Sequence, residues 1–201
     1  MNIRKAILLG VAILAGFGIV YTGLTYARPY TYQGSLIEPP VPAPDFDLVD
    51  QYGHPFRLNE YRDKVILIFF GYTHCPDVCP VTLTDFKKVK AQLVEKSKDV
   101  VFVFITTDPD RDTPKHMLNY LKNFDPEFVG LTEERSSMEP VWQDYGVYQE
   151  KVDIGDPENY LVDHSARTYI IDKNGNLRLT YLFGTGSEVI AEDVAHLLSE
   201  N

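Results

Sequence analysis

The sequence predicts an α/β domain that follows a single membrane-spanning helix. Residues 65–70 and 100–106 are short, mainly apolar runs, which is typical of strands covered on both faces of a sheet. Apolar residues at steps of three and four follow these runs, as expected for amphipathic helices packed on that sheet. Residues 6–26 contain no charged residue and reach the roughly 20 residues that a bilayer requires.

The N-terminal apolar run is interpreted as a retained anchor. Arg4 and Lys5 precede it without an acidic residue, so the positive-inside rule leaves residues 1–5 in the cytoplasm and exports the rest of the chain. A cleaved signal peptide is the alternative, with residues 25–27 as a candidate cleavage site. The apolar run favours the anchor because it exceeds the apolar region of a signal peptide, about 7–15 residues long.

Residues 27–44 are expected to form a tether, since four of the ten residues 35–44 are proline and such segments are extended and semi-rigid. The folded domain is therefore placed at residues 45–201. It opens with residues 46–49 and 55–58 around a turn, which predicts an N-terminal hairpin.

The remaining elements alternate between strands and helices in a recognisable order. After residues 65–70, apolar positions indicate a helix, and a second pair of strand and helix follows. A short strand, a third helix, a hairpin and a closing helix complete the order, which is that of a thioredoxin-like domain. The polar segment 146–163 is interpreted as an insertion before the C-terminal hairpin. The strands are predicted at 65–70, 100–106, 128–131, 168–171 and 177–183. The four helices are predicted, in chain order, from Leu83, Phe86, Val89 and Leu93; from Met117 and Leu121; from Met138, Val141 and Trp142; and from Ile190, Val194 and Leu197.

The charge of the exported part excludes one class of partner. Three of the 19 basic residues and none of the 29 acidic residues lie in residues 1–34, so the remainder carries a formal charge of −13. A domain this acidic is not expected to bind nucleic acid or anionic lipid.

Cys75 and Cys79 are the two cysteines of the chain, and they lie where the strand at 65–70 gives way to a helix. Pro80 suits the first helical turn, and a helix N-terminus favours a thiolate over a thiol. The spacing is Cys-x3-Cys, so both sulfurs could converge on one atom if the second half is helical. Two sulfurs are an incomplete site for zinc and suit copper better, with one or two further donors.

A structural disulfide between Cys75 and Cys79 is the simpler alternative for an exported chain. It is disfavoured because a loop this short constrains the unfolded chain little and would add little stability.

Five histidines could supply a further donor. His54, His116 and His196 are most simply surface residues, and His74 would point away from Cys75 if its segment is extended. His164 differs, because it leads into the strand at 168–171. In thioredoxin-like topology the residues that enter this strand face the dithiol, so His164 can reach both sulfurs.

Three motifs in order carry a resemblance to a known family. They are GYTHCPDVCP at 71–80, TDPDRDTP at 107–114, and VDHS at 162–165 with YIID at 169–172. With these motifs the chain resembles the Sco/SenC family, copper-handling proteins involved in cytochrome c oxidase assembly. The resemblance covers residues 40–198 together with the anchor.

The resemblance implies both a site and a function. In the family, two cysteines and a later histidine bind copper, which implies one ion, Cu(I) or Cu(II), at Cys75, Cys79 and His164. The implied function is a metallochaperone that delivers copper to the CuA centre of cytochrome c oxidase subunit II, with associated thiol redox chemistry. Two alternatives remain: a thiol–disulfide oxidoreductase that reduces the CuA-site cysteines, with Cys75 and Cys79 as the redox pair, and a copper or redox sensor.

The same resemblance sets the expected surroundings of the protein. Subunit II is the expected partner, together with other periplasmic copper carriers, and an enzymatic activity is not expected. We expect a single-pass protein of the bacterial inner (cytoplasmic) membrane with its domain in the periplasm.

General disulfide exchange is disfavoured, because Arg167 stands before Thr168 where thioredoxins have a cis-proline.

Overall fold

The computed structural model describes residues 2–26, 29–153, 155 and 160–200. The chain divides into two units, Met1–Tyr32 and Gln33–Asn201. In the first unit, helix α1 spans Ile3–Tyr26. Its part Ile3–Thr22 is long and apolar enough to cross a membrane, a property that signal sequences share with anchors. The candidate cleavage site ends at residue 27, which lies outside the described residues.

The second unit is built on a mixed sheet. Within the described residues, eight strands form this sheet in the order β1-β10-β9-β4-β5-β6-β2-β3, and β7 with β8 forms a separate hairpin. Strands β4, β5 and β6 are parallel, and all other neighbouring pairs are antiparallel. The strands are β1 Ser35–Pro42, β2 Asp47–Asp50, β3 Pro55–Arg57, β4 Val65–Gly71, β5 Val100–Thr106, β6 Val129–Thr132, β7 Gln149–Val152, β8 Leu161–His164, β9 Arg167–Ile171 and β10 Asn176–Leu182.

In the described part of this unit, four α-helices pack with the sheet. They are α2 Val78–Leu93, α3 Pro114–Leu121, α4 Arg135–Asp144 and α5 Ser187–Leu197, with short 3₁₀ helices at Leu58–Tyr61 and Val94–Asp99. The apolar stripe predicted for α2 is buried at Leu83, Phe86, Val89 and Leu93. Helix α3 begins after Thr113, whose hydroxyl accepts the N–H of His116 at 3.3 Å. These elements confirm a thioredoxin-like α/β fold with an added N-terminal hairpin, β2-β3.

The register of the central strands determines where a functional site can form. Every residue of β4 is buried, as expected of an apolar strand covered on both faces. Gly71 at the C-terminal end of β4 pairs with Thr106 at the C-terminal end of β5, so the chain leaves both strands on the same side of the sheet. Strand β9 runs antiparallel to β4 and pairs Thr168 with Phe69. The segment before β9 therefore lies next to the C-terminal ends of β4 and β5.

The prediction of a tether over residues 27–44 is wrong for residues 35–42. These residues form β1, an edge strand in which Ser35 pairs with Thr180 and Val41 with Leu177. An edge strand tolerates proline because one of its sides has no hydrogen-bonding neighbour.

The insertion at 146–163 also has structure of its own that the sequence did not predict. In it, β7 and β8 pair from Gln149 opposite His164 to Val152 opposite Leu161. Residues 154 and 156–159, in the middle of this segment, lie outside the described residues.

Candidate metal centre

The two cysteines lie on the turn that leaves β4. The N–H of Cys75 donates to the carbonyl of Tyr72 at 3.2 Å, which closes the turn. Cys75 precedes α2, whereas Cys79 lies in the first turn of that helix and directs its N–H to Cys75 Sγ at 3.4 Å. Cys79 is fully buried and Cys75 is partly exposed. One sulfur therefore lies in the core and the other reaches the surface.

His164 is the last residue of β8 and faces this pair. Its Nε2 lies 3.6 Å from Cys79 Sγ, and its Nδ1 lies 3.2 Å from the carbonyl oxygen of Ser165. The imidazole meets the rings of Phe69 and Tyr72 edge to face, with centroids 6.0 and 5.8 Å away. These contacts direct Nε2 towards the sulfurs.

The structure brings the three predicted residues together. The donor atoms of Cys75, Cys79 and His164 all lie within 4.8 Å of one another, so the group could hold a metal ion. Among the described residues, it is the one group of three or more histidine, cysteine or carboxylate donors this close together. That these residues ligate a metal remains a prediction.

The other histidines lie apart from the sulfurs. The ring of His74 stacks on that of His116 at a centroid distance of 4.9 Å, and its Nδ1 lies 3.2 Å from Thr73 Oγ1. His54 is exposed in the β2–β3 turn, and His196 is half-buried on α5. His74 is thus adjacent to Cys75 in sequence but occupied elsewhere in the fold.

The two thiols differ in protonation. A hydrogen bond from Cys79 is the main reason why the pKa of Cys75 is lowered to about 4, and His164 and the backbone N–H groups of Cys79 and Asp77 act in the same direction. Burial raises the pKa of Cys79. The pair therefore holds one proton at neutral pH, on the buried sulfur, and presents a thiolate at the partly exposed one.

Gly71 allows Cys79 to approach the sheet. A Cβ at position 71 would lie 2.8 Å from Cys79 Sγ and 2.8 Å from the ring of Phe104. Both distances are too short for carbon, so the buried sulfur occupies space that any larger residue at this position would take.

Asp112 fixes the loop that carries the cysteines. It is fully buried, and its carboxylate accepts from the N–H of Thr73 at 3.0 Å and from the hydroxyls of Thr73 and Thr106 at 2.5 and 2.7 Å. Burial raises the pKa of Asp112. Its hydroxyl partners are Thr106, at the end of β5, and Thr73, two residues after β4, so no local sequence pattern identifies this role.

Comparisons with known proteins agree with this geometry. A protein-family model described as SCO1/SenC matches residues 36–199. The chain is 35% identical to a SCO2-like protein of Rickettsia prowazekii over 196 residues, 95% of each chain. The solved structure of Bradyrhizobium japonicum ScoI with copper bound is 37% identical, with a TM-score of 0.73 over 79% of this chain and 100% of that one. The copper-bound ScoI of Arabidopsis thaliana is 31% identical, with a TM-score of 0.73 over 79% of this chain and 99% of that one.

Proposed function

Because the chain belongs to the SCO1/SenC family, we propose that it binds one copper ion through Cys75, Cys79 and His164 and delivers it during assembly of cytochrome c oxidase. The observation that carries the proposal is the convergence of two sulfurs and one imidazole within 4.8 Å. Soft sulfurs favour Cu(I), and a nitrogen donor makes Cu(II) acceptable as well. The CuA centre of subunit II is the proposed destination.

The protonation of the cysteines suits the uptake of a metal cargo. Cys75 already offers a thiolate at the surface, because its pKa is lowered to about 4. Cys79 carries the remaining proton and releases it when it becomes a ligand, since metals bind the deprotonated sulfur. Three donors with one partly exposed sulfur leave room for a partner's ligands to enter and take the ion by exchange.

A thiol–disulfide oxidoreductase is the second candidate. The thiolate of Cys75 beside the neutral thiol of Cys79 also suits exchange with the disulfide of a target protein. Such a reductase needs only the two cysteines. The reductase function does not explain why the imidazole of His164 lies 3.6 Å from Cys79 Sγ. A copper site does explain it, which favours copper delivery. A sensor that uses the same residues is the third candidate.

The proposed location is the bacterial inner membrane. Helix α1, with Arg4 and Lys5 at its start, supports a single-pass anchor with the domain in the periplasm. Subunit II and periplasmic copper carriers are the proposed partners. An anchor keeps the domain at the surface where an integral-membrane target lies and so raises its effective concentration there.

The deciding experiment measures oxidase activity in a deletion strain that expresses His164→Ala under limiting copper. Both thiols survive in this variant, so a reductase would still work, whereas a copper carrier would lack one donor. We expect the strain to fail, and the purified variant to bind copper at least about tenfold more weakly with loss of thiolate charge-transfer absorption.

His74→Ala is the matched control, because its imidazole adjoins Cys75 but stacks on His116. We expect it to behave as the wild type. Wild-type oxidase activity in the His164→Ala strain would favour the reductase, and full copper retention by purified His164→Ala would remove His164 from the site.

A further inference from the structure

The hairpin that carries His164 is held to the domain separately from the main sheet. Its strands β7 and β8 pair with each other in a two-stranded sheet of their own. At its base, the N–H of Ser165 donates to the carbonyl of Tyr148 at 3.0 Å, and the Tyr148 N–H donates to Ser165 Oγ at 3.0 Å. The far end of β8 therefore needs contacts of its own to stay in place.

Tyr160, directly before β8, supplies such a contact. It is 6% exposed, and its hydroxyl donates to Asp108 Oδ1 at 2.7 Å. Asp108 follows β5 and is 1% exposed, and its other oxygen accepts from Arg111 Nε at 2.5 Å. The guanidinium of Arg111 stacks on the Tyr160 ring, with Cζ 3.5 Å from the centroid. We call Tyr160, Asp108 and Arg111 the hairpin latch.

In the hairpin latch, the buried carboxylate of Asp108 joins the hairpin to the rest of the domain. A buried carboxylate is stable only when hydrogen-bonded and paired, and here one bond comes from the hairpin and one from Arg111. Burial, followed by the bond to Asp108, raises the pKa of Tyr160 to about 12, so the hydroxyl remains a donor at neutral pH. Opening the hairpin would withdraw this bond from a buried anion.

Tyr72 continues the contacts from the hairpin latch to the candidate ligand. Its ring lies 5.9 Å from Arg111 Cζ and meets the imidazole of His164 edge to face at 5.8 Å. Tyr72 is 3% exposed, so its position is fixed by packing. Arg111 therefore lies beside two aromatic rings that border β8, Tyr160 before the start of the strand and Tyr72 near its end.

We propose that the hairpin latch positions His164 over the two sulfurs and thereby controls how well the site holds Cu(II) relative to Cu(I). The inference rests on the proposed copper site and adds three positioning residues, none of which is a ligand. A loosened hairpin withdraws the nitrogen donor while leaving both sulfurs in place. Cu(II), which depends on nitrogen, loses affinity, and Cu(I), which the thiolates satisfy, does not.

Tyr160→Phe tests the proposal with little disturbance. It removes the hydroxyl and keeps the ring on which Arg111 stacks. We expect about tenfold weaker Cu(II) binding, since bonds to charged groups are among the stronger ones, with Cu(I) binding changed less than about twofold. In the metal-free protein, we expect faster hydrogen exchange at the amides of β8.

Tyr148→Phe is the matched control, because Tyr148 lies at the base of the same hairpin and its hydroxyl donates to Glu150 within it. We expect wild-type copper affinities and exchange rates. Arg111→Lys is a second variant, which keeps the positive charge and removes the planar stacking. Like Tyr160→Phe, it should weaken Cu(II) binding more than Cu(I) binding.

Two outcomes would overturn the proposal. Unchanged Cu(II) affinity in Tyr160→Phe would show that the hairpin stays closed without the bond. Equal losses for Cu(II) and Cu(I) would show general destabilisation in place of positioning. Failure of the copper site itself is recognised separately, because His164→Ala would then bind Cu(II) as the wild type does, whatever the result for Tyr160→Phe.

Discussion

At the scale of single residues, the two cysteines are predicted to react differently. In the reduced, metal-free protein, iodoacetamide should label Cys75 at neutral pH and leave Cys79 unmodified, because one is a partly exposed thiolate and the other a buried thiol. Labelling of Cys75 should fall only as the pH drops through about 4. Peptide mass spectrometry across a pH series measures both, and unfolded protein, in which both cysteines react, is the control.

The same pKa shift sets a direction for stability. The pKa of Cys75 lies at about 4 in the folded state, below the ordinary thiol value of 9.0. Between these values the unfolded chain holds the extra proton, so this contribution to stability grows as the pH rises and is lost as the pH falls through about 4. In the labelling experiment, equal modification of Cys75 and Cys79, or a pH midpoint near 9 for Cys75, would contradict this difference in protonation between the two sulfurs.

Gly71 is predicted to be intolerant of any side chain. Gly71→Ala should destabilise the protein by about 1–3 kcal/mol and weaken copper binding, because its Cβ would displace Cys79 Sγ or the Phe104 ring. Thermal unfolding and copper titration measure the two effects.

Gly186→Ala is the control, since its Cβ would meet only the flexible end of Glu188, at 3.1 Å. We expect its free energy of unfolding to change by less than about 0.5 kcal/mol. A wild-type copper affinity in Gly71→Ala would show that the sulfur has more freedom than the packing indicates.

The positions of the candidate ligands could be predicted from the sequence, but their protonation could not. Cys75 and Cys79 follow from a strand-to-helix transition, and His164 from its place before β9. The pKa difference between the sulfurs depends on the depth at which Cys79 packs against Gly71, which is a tertiary property. Local sequence therefore identifies the donors and leaves their charges undetermined.

At the scale of elements, β1 is predicted to be essential for the domain. Buried Asp193 on α5 accepts from the N–H groups of Gln33 and Gly34, at 3.0 and 2.9 Å to Oδ2, and from the Tyr181 hydroxyl at 2.6 Å. A chain that begins at residue 45 would lose both N–H donors and expose the edge of β10. We expect it to be less stable by on the order of 3 kcal/mol and prone to aggregation.

Denaturant unfolding of the chains 33–201 and 45–201 tests the role of β1. The longer chain retains the strand and also Gln33 and Gly34, which donate to Asp193, so it serves as the control. Equal stability of the two chains would restore the original interpretation of residues 35–44 as a tether.

The strands β4 and β5 could be predicted because their apolar runs are unbroken, whereas β7 and β8 could not. Three of the four residues of β7, Gln149–Val152, are polar, so no alternation marks it as a strand. Its partner β8 follows Tyr160, whose hydroxyl donates to Asp108, a residue 52 positions earlier in the chain. A signal was nevertheless present in the sequence, because the apolar residues 160–162 follow residues of types that favour turns, GDPEN at 155–159.

At the scale of the whole molecule, the apolar helix α1 is predicted to remain in the mature protein. Mass spectrometry of the native protein should give a chain that includes residues 3–26, and the protein should stay with the membrane after extraction with alkaline carbonate. Replacing residues 3–26 by a cleavable signal sequence is the comparison, and that product should be released as a soluble domain. A mature chain that starts near residue 28 would instead assign α1 to a signal peptide.

The separation of the candidate ligands along the chain gives a bound ion a second effect. Cys79 and His164 are 85 residues apart in sequence, and their donor atoms are 3.6 Å apart. An ion held by both would act as a removable cross-link, and a link of this span restricts the unfolded chain by on the order of 4 kcal/mol in the chain-entropy model. Copper-bound and copper-free protein would then differ in melting temperature and in protease resistance. Proteolysis would therefore fall first on the copper-free protein.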